Sequence, residues 1–231
     1  MKARTGIQRQ YAKKFLTLNE IILLGCVIGG LYGIVHDQLT YTISPEYYTK
    51  FKFYQFELIH TGNEAIFHNP RIKASIVGFL ATWWMGLFIG IILGVLGFIH
   101  TDSTQMFRAT MKAMLLTMAV ALATGLIGLA YGKFYLAKTG IDWLLPQNLI
   151  NKENFIAVGS MHNFSYAGGL AGLLTGIIYS IRQRKKQGIG KKQSPVKKQS
   201  PVKEQNPVKK QVSAKKQTPV KSGKKKKSKR K

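Results

Sequence analysis

From Ala74 to Ile99 the chain runs 26 residues without a charged side chain. About 20 such residues cross the hydrocarbon core of a bilayer, whereas a helix in a water-soluble core seldom stays charge-free beyond about 14. Two more stretches meet that length: Ala113 to Gly132 and, counting His162 as neutral, Phe155 to Ile181. A fourth, Phe15 to Val35, contains Asn19 and Glu20, but only in its first two turns, where a headgroup region would lie. Lipid offers no partner to an open backbone group, and the ten-residue alternation of a membrane barrel is absent from the sequence, so the segments are predicted to be helices. The expected fold class is therefore all-α: a polytopic membrane protein built as a four-transmembrane-helix bundle, with spans at about 15–35, 74–99, 113–132 and 155–181.

Charge divides the chain further. The formal net charge is +26, with 35 basic and nine acidic residues, and 21 of the basic ones fall between Arg182 and Lys231 beside a single acid, Glu204. The expected domains are thus a basic N-terminus (1–14), the membrane domain (15–181) and a Lys-rich tail (182–231). From Lys191 the tail repeats a six-residue unit, KKQSPV and its variants, without an aromatic residue. Such a segment buries too little to fold and is expected to be disordered. Its candidate partners are anionic lipid headgroups, worth about 1 kcal/mol for each Lys or Arg near the surface, and nucleic acid, including ribosomal RNA, because phosphate binding needs only charge. A solvated topological anchor explains the same composition, and a second copy of the chain is a further candidate partner.

Basic residues near the spans also set the orientation. Lys2, Arg4, Arg9, Lys13 and Lys14 precede the first span and Arg182 to Lys186 follow the last, which favours both termini in the cytoplasm. Arg71 and Lys73, on the expected outer side, count against it. The single cysteine excludes a disulfide within one chain, and there is no CxxC or zinc spacing. Leu23-Leu24-Gly25-Cys26 has the form of a lipoprotein cleavage box. Glu20 interrupts the apolar run before it, however, and Val27 to Val35 stay apolar after it, so a small thiol at a helix interface is the better reading.

Small residues recur at four-residue spacing in every span: Gly25, Gly29 and Gly33; Gly86, Gly90 and Gly94; Ala121 and Gly125; Gly168, Gly172 and Gly176. Helices in lipid associate through close backbone approach, so these are expected to mark helix contacts. Trp83 and Trp84 fall mid-span and are read as packing or lipid-facing residues.

The outer connection, His36 to Lys73, is long and rich in aromatics. Ser44-Pro45-Glu46 has the form of an N-cap, a first helical position and an acid favoured by the helix dipole. A helix over about 45–60 is expected, with Tyr47, Phe51, Tyr54 and Leu58 on one face and Thr61-Gly62-Asn63 as its end, lying on the membrane or capping the bundle.

Polar groups at membrane depth are expensive and usually face a bundle interior or a wet cavity. His36 and Asp37 close the first span on the outer side, and Ser160, His162, Asn163, Ser165 and Tyr166 enter the fourth from that side. They form the candidate polar cluster. No HExxH, paired histidines at helical spacing or carboxylate dyad is present, so neither catalytic residues, a metal nor a cofactor is assigned, and catalysis is the least supported reading. Hydrogen bonds that fix helix register account for the cluster. A transport path near His162 and Glu20 is the alternative, although Glu20 also reads as a residue that snorkels to the headgroups. His60, His68, His100 and Asp102 read as interfacial residues.

The run from His36 to Phe53, HDQLTYTISPEYYTKFKF, together with His162 to Gly169, HNFSYAGG, resembles a family of uncharacterised bacterial multi-pass membrane proteins. The likeness covers roughly 19–181 and excludes the tail. It implies a bacterial inner (plasma) membrane and a shared fold, and it carries no activity. The expected function is that of a scaffold or small-molecule handling component, with a small transporter or a tail-mediated tether as alternatives.

Overall fold

A computed structural model describes residues 2–59 and 69–193 of the chain. Four long helices dominate: α1 (Lys2–Ile43), α4 (Pro70–Leu96), α5 (Ser103–Tyr131) and α7 (Lys152–Gln193). Among the described residues three single-turn α-helices, α2 (Pro45–Tyr47), α3 (Phe53–Gln55) and α6 (Ala137–Thr139), and short π or 3-10 turns join them. No strand occurs among the described residues. The four long helices are each long and apolar enough to cross a membrane, which makes this an all-α, multi-pass membrane protein. Large apolar side chains such as Leu23, Phe88, Ile127 and Leu170 stand exposed along them, as lipid-facing residues do, and Trp83 and Trp84 share that outward face.

Two antiparallel helix pairs build the bundle, and the glycine steps explain both. In the α1–α4 pair, a Cβ added to Gly86 would meet the Gly25 carbonyl oxygen, and one added to Gly33 would meet the Gly78 carbonyl oxygen, each near 2 Å. Gly90 and Gly94 continue this seam against Ile21, Ile22 and Leu18. In the α5–α7 pair, Gly125 faces Ser165, Gly168 faces Thr124, and Gly172 and Gly176 face Thr117 and Ala113. Backbones this close leave no room for side chains, which is the packing that small-xxx-small spacing allows.

The helices overrun the apolar stretches at both ends. α1 takes in the basic N-terminus and continues through His36 and Asp37 to Ile43, so these two residues lie on a helix and not in a loop. α7 carries through Arg182 to Gln193, where a disordered tail is expected from composition alone. A helix already nucleated by packing adds residues at little cost, which composition does not reveal. The tail beyond Gln193 and the His60 to His68 segment, with its Thr61-Gly62-Asn63 stop, lie outside the described residues.

The connecting segment after α1 begins as read. Ser44 caps α2, its Oγ accepting from the Tyr47 N–H at 3.3 Å, with Pro45 in the first turn. From Tyr48 to Lys52, however, the backbone forms a π turn. Wider winding rotates the faces, so Tyr47, Tyr48, Lys52 and Phe53 are buried while Phe51 and Tyr54 are exposed, which corrects the face expected for an unbroken α-helix. The helix also stops early. Leu58 N–H bonds the Phe53 carbonyl at 2.8 Å and Glu57 N–H the Tyr54 carbonyl at 3.0 Å, with Glu57 at φ 56°, a Schellman ending.

This segment caps the bundle mouth. Tyr47, Tyr48 and Phe53 join Ala74, Val77, Phe155 and Val158 in one apolar cluster. Glu46 fastens it to the α6–α7 connection, accepting from Lys50 Nζ at 2.7 Å and from the Ile150 and Asn151 N–H groups at 2.9 and 2.7 Å. Those bonds, led by Lys50, hold the Glu46 carboxyl down to about 2. Arg71 lies over the Tyr41 ring at 5.2 Å and Lys73 over Phe53 at 5.9 Å, so both cations that argued against the orientation pack on this cap.

At the opposite end of the bundle, His100 is fully buried within the protein. Its Nε2 lies 3.0 Å from Ser180 Oγ and its Nδ1 3.3 Å from Gln187 Oε1. Lys14 Nζ donates to the Phe98 and His100 carbonyls at 3.0 and 2.5 Å. One polar knot thereby ties α1, the α4–α5 turn and α7. Asp102 is the N-cap of α5, accepting from the Gln105 N–H at 2.9 Å.

Candidate functional site

A cavity of about 80 Å³ lies where the four long helices meet. Since roughly 10–15 Å³ of such space holds one water, this is room for several waters or a small ligand. Its walls are mainly apolar, with Ile28, Met85, Ile89, Met114 and Met118 around its body beside Thr82 and Thr117, and its ionisable groups gather at one end: Tyr32, His36, Asp37, Lys52, His162 and Tyr166, with Ser165. Gly25, Gly29, Gly86 and Gly169 form part of its wall.

α1 and α7 bring the sequence-distant polar residues together. His36 Nδ1 lies 3.2 Å from Asp37 Oδ1, and His36 Nε2 lies 3.2 Å from Ser165 Oγ. His162 Nε2 lies 3.4 Å from the same Asp37 oxygen, and its Nδ1 is 2.9 Å from the Val158 carbonyl oxygen. The two imidazoles meet edge to face with centroids 4.8 Å apart. His36, Asp37 and His162 are all buried, and one donor atom from each lies within 4.8 Å of the others. The contact between His162 Nε2 and Asp37 is an ion-pair distance without hydrogen-bond geometry, so that nitrogen is without a partner among the described residues. Tyr32 Oη and Ser160 Oγ are likewise unpartnered and buried.

Three candidates fall elsewhere. Asn163 is exposed on the outer face of α7, one helical step from His162, and takes no part. Ser160 is buried against Gly132 and does not line the cavity. Glu20 is exposed on α1 and does not line the cavity.

The cap supplies residues that sequence reading missed. Tyr47 stacks on His162 with centroids 5.0 Å apart, and Tyr48 Oη meets Thr40 Oγ1 at 2.5 Å. Burial pushes both phenols up and keeps them neutral. Lys52 reaches the cavity through the π turn, with Nζ within 6.0 Å of the Tyr47, Phe51 and Phe56 ring centroids. Burial lowers its basicity and Asp37 opposes that shift. The only signal in the sequence was the Tyr-Tyr pair beside Lys-Phe-Lys-Phe; assigning the buried face required the turn geometry.

Comparison with protein-family models, with curated protein sequences and with solved structures finds no match to this chain.

Proposed function

We propose that this chain is a protein of the bacterial inner membrane, with both termini in the cytoplasm, that holds a small amphipathic molecule in the cavity between its four helices. The polar head lies against His36, Asp37, Lys52 and His162 at the outer end, and the apolar body lies among Ile28, Met85 and Met118. One observation carries this reading. Tyr32 Oη and His162 Nε2 are buried polar atoms without partners, and both belong to residues lining the same cavity. Leaving a buried polar group unpaired costs about 1–3 kcal/mol, so a bound partner in the cavity is favoured. Scaffolding alone gives no reason for a hollow centre. A transport path gains no support from Glu20, which faces outward.

Native mass spectrometry of the purified protein in mild detergent tests the proposal. A co-purifying small molecule is expected in the wild type and absent from Ala81→Phe, which fills the cavity without touching the polar end. Empty spectra for both proteins, at any detergent strength that keeps the fold, would sink it.

The basic tail has a separable role in this proposal, contact with anionic lipid or nucleic acid, supported by its 21 basic residues against one acid. Counterion release makes such binding fall steeply with salt.

A further inference from the structure

The hydrogen bonds at the polar end of the cavity leave one buried nitrogen open, His162 Nε2, beside a carboxylate and a second imidazole. His162 Nδ1 lies 2.9 Å from a backbone carbonyl, which only accepts, so the neutral ring carries its proton there and Nε2 presents a lone pair. That lone pair faces Asp37 Oδ1 at 3.4 Å, another acceptor, in a side chain only 6% exposed. Two acceptors held together out of water repel unless a cation lies between them. His36 Nδ1 donates to the same carboxylate oxygen at 3.2 Å; when an ion replaces that proton, the ring keeps its proton on Nε2, where Ser165 Oγ at 3.2 Å accepts it, and Nδ1 becomes a ligand.

We propose that His36 Nδ1, Asp37 Oδ1 and His162 Nε2 bind one divalent transition-metal ion of the zinc type, with a further coordination position open to the cavity. Imidazole and carboxylate are the donors such ions take, and three protein ligands with one open position is the pattern of sites that act on a ligand. The separations fit. With metal–ligand bonds of about 2.1 Å, tetrahedral ligand atoms stand roughly 3.4 Å apart, beside the 3.2 and 3.4 Å found for the two nitrogen–oxygen pairs. All three donor atoms lie within 4.8 Å of one another. Each imidazole is held from behind by an oxygen, Val158 O or Ser165 Oγ, which is how ligating histidines are oriented. Lys52 lines the same cavity and opposes a bare dication, so it favours an anionic group, hydroxide or carboxylate, at the open position. The ion goes beyond the small-molecule reading and stands without it.

The test is metal content of the full-length protein, purified in detergent with any affinity tag removed, then dialysed against zinc(II) and washed. Near one zinc per chain is expected, with at least a tenfold loss in Asp37→Asn and in His162→Gln, and no loss in His100→Gln, a buried histidine outside the site. Zinc retained equally by folded Asp37→Asn and His162→Gln overturns the proposal, as does a wild type holding less than a tenth of an equivalent, in which case a proton shared by His162 and Asp37 fills the gap. Should both variants fail to fold, cobalt(II) added to the wild type decides: visible d–d bands of a low-coordinate nitrogen and oxygen site support the ion, and their absence overturns it. Neither result depends on the mass-spectrometric search for an organic ligand.

Discussion

Single residues fix the cap on the bundle. Glu46 has one carboxylate serving Lys50 and the two backbone amides that lead into α7. Its folded-state pKa is about 2 against an ordinary 4.5, so the unfolded chain binds the proton more readily. The stabilisation is full above pH 4.5 and is lost as pH falls through about 2. Hydrogen-exchange protection at Ile150 and Asn151 is therefore expected to drop across that window, and Glu46→Gln to show low protection at neutral pH with no acid step. His100 gives the opposite end a milder window. Burial depresses its pKa below 6.5, so the unfolded state again binds more protons, and acidification below pH 6.5 weakens the knot with Ser180 and Gln187. The thermal midpoint of the wild type should fall more between pH 7.5 and 5.5 than that of His100→Gln. The identity of these residues was plain in the sequence, but their burial was not: His100 follows an apolar run just as an interfacial histidine would, and only the approach of α7 encloses it.

Elements meet through missing side chains. Gly33 and Gly86 abut backbone oxygens on the partner helix, so a methyl group must push α1 and α4 apart, while Gly6 has nothing within 4 Å. Gly33→Ala and Gly86→Ala are each expected to cost about 1–3 kcal/mol as overpacked sites. Gly6→Ala should instead add up to about 1 kcal/mol through helix propensity. Unfolding in a graded denaturing detergent reads both directions. The four-residue spacing made these contacts legible because close helix approach in lipid has few other solutions. The π turn at Tyr48–Lys52 was not legible, since one wider turn leaves no mark in hydrophobic spacing and exchanges Tyr54 for Tyr48 on the buried face.

The whole molecule is arranged asymmetrically, with the polar end of the cavity where α1 finishes and α7 begins. If both termini are cytoplasmic, that end faces outward. A fluorescent protein fused after Lys231 should then mature and an alkaline phosphatase at the same place stay inactive; the reverse pair of results would invert the proposed topology. Deleting Lys191 to Lys231 is expected to reduce co-sedimentation with anionic vesicles or RNA at low salt while leaving the membrane domain's melting unchanged.

What residue order alone determined is the class of solvent this chain tolerates: charge-free stretches long enough to span lipid compel helices, and their glycine spacing compels close pairs. Tertiary structure decided which polar groups face one another. His36, Asp37 and His162 are more than 120 positions apart at their widest, and Lys52 arrives from a third segment. Hydrophobicity acts on each segment separately and so can be read along the chain, whereas the gap between His162 Nε2 and the Asp37 carboxylate exists only once α1 and α7 are packed.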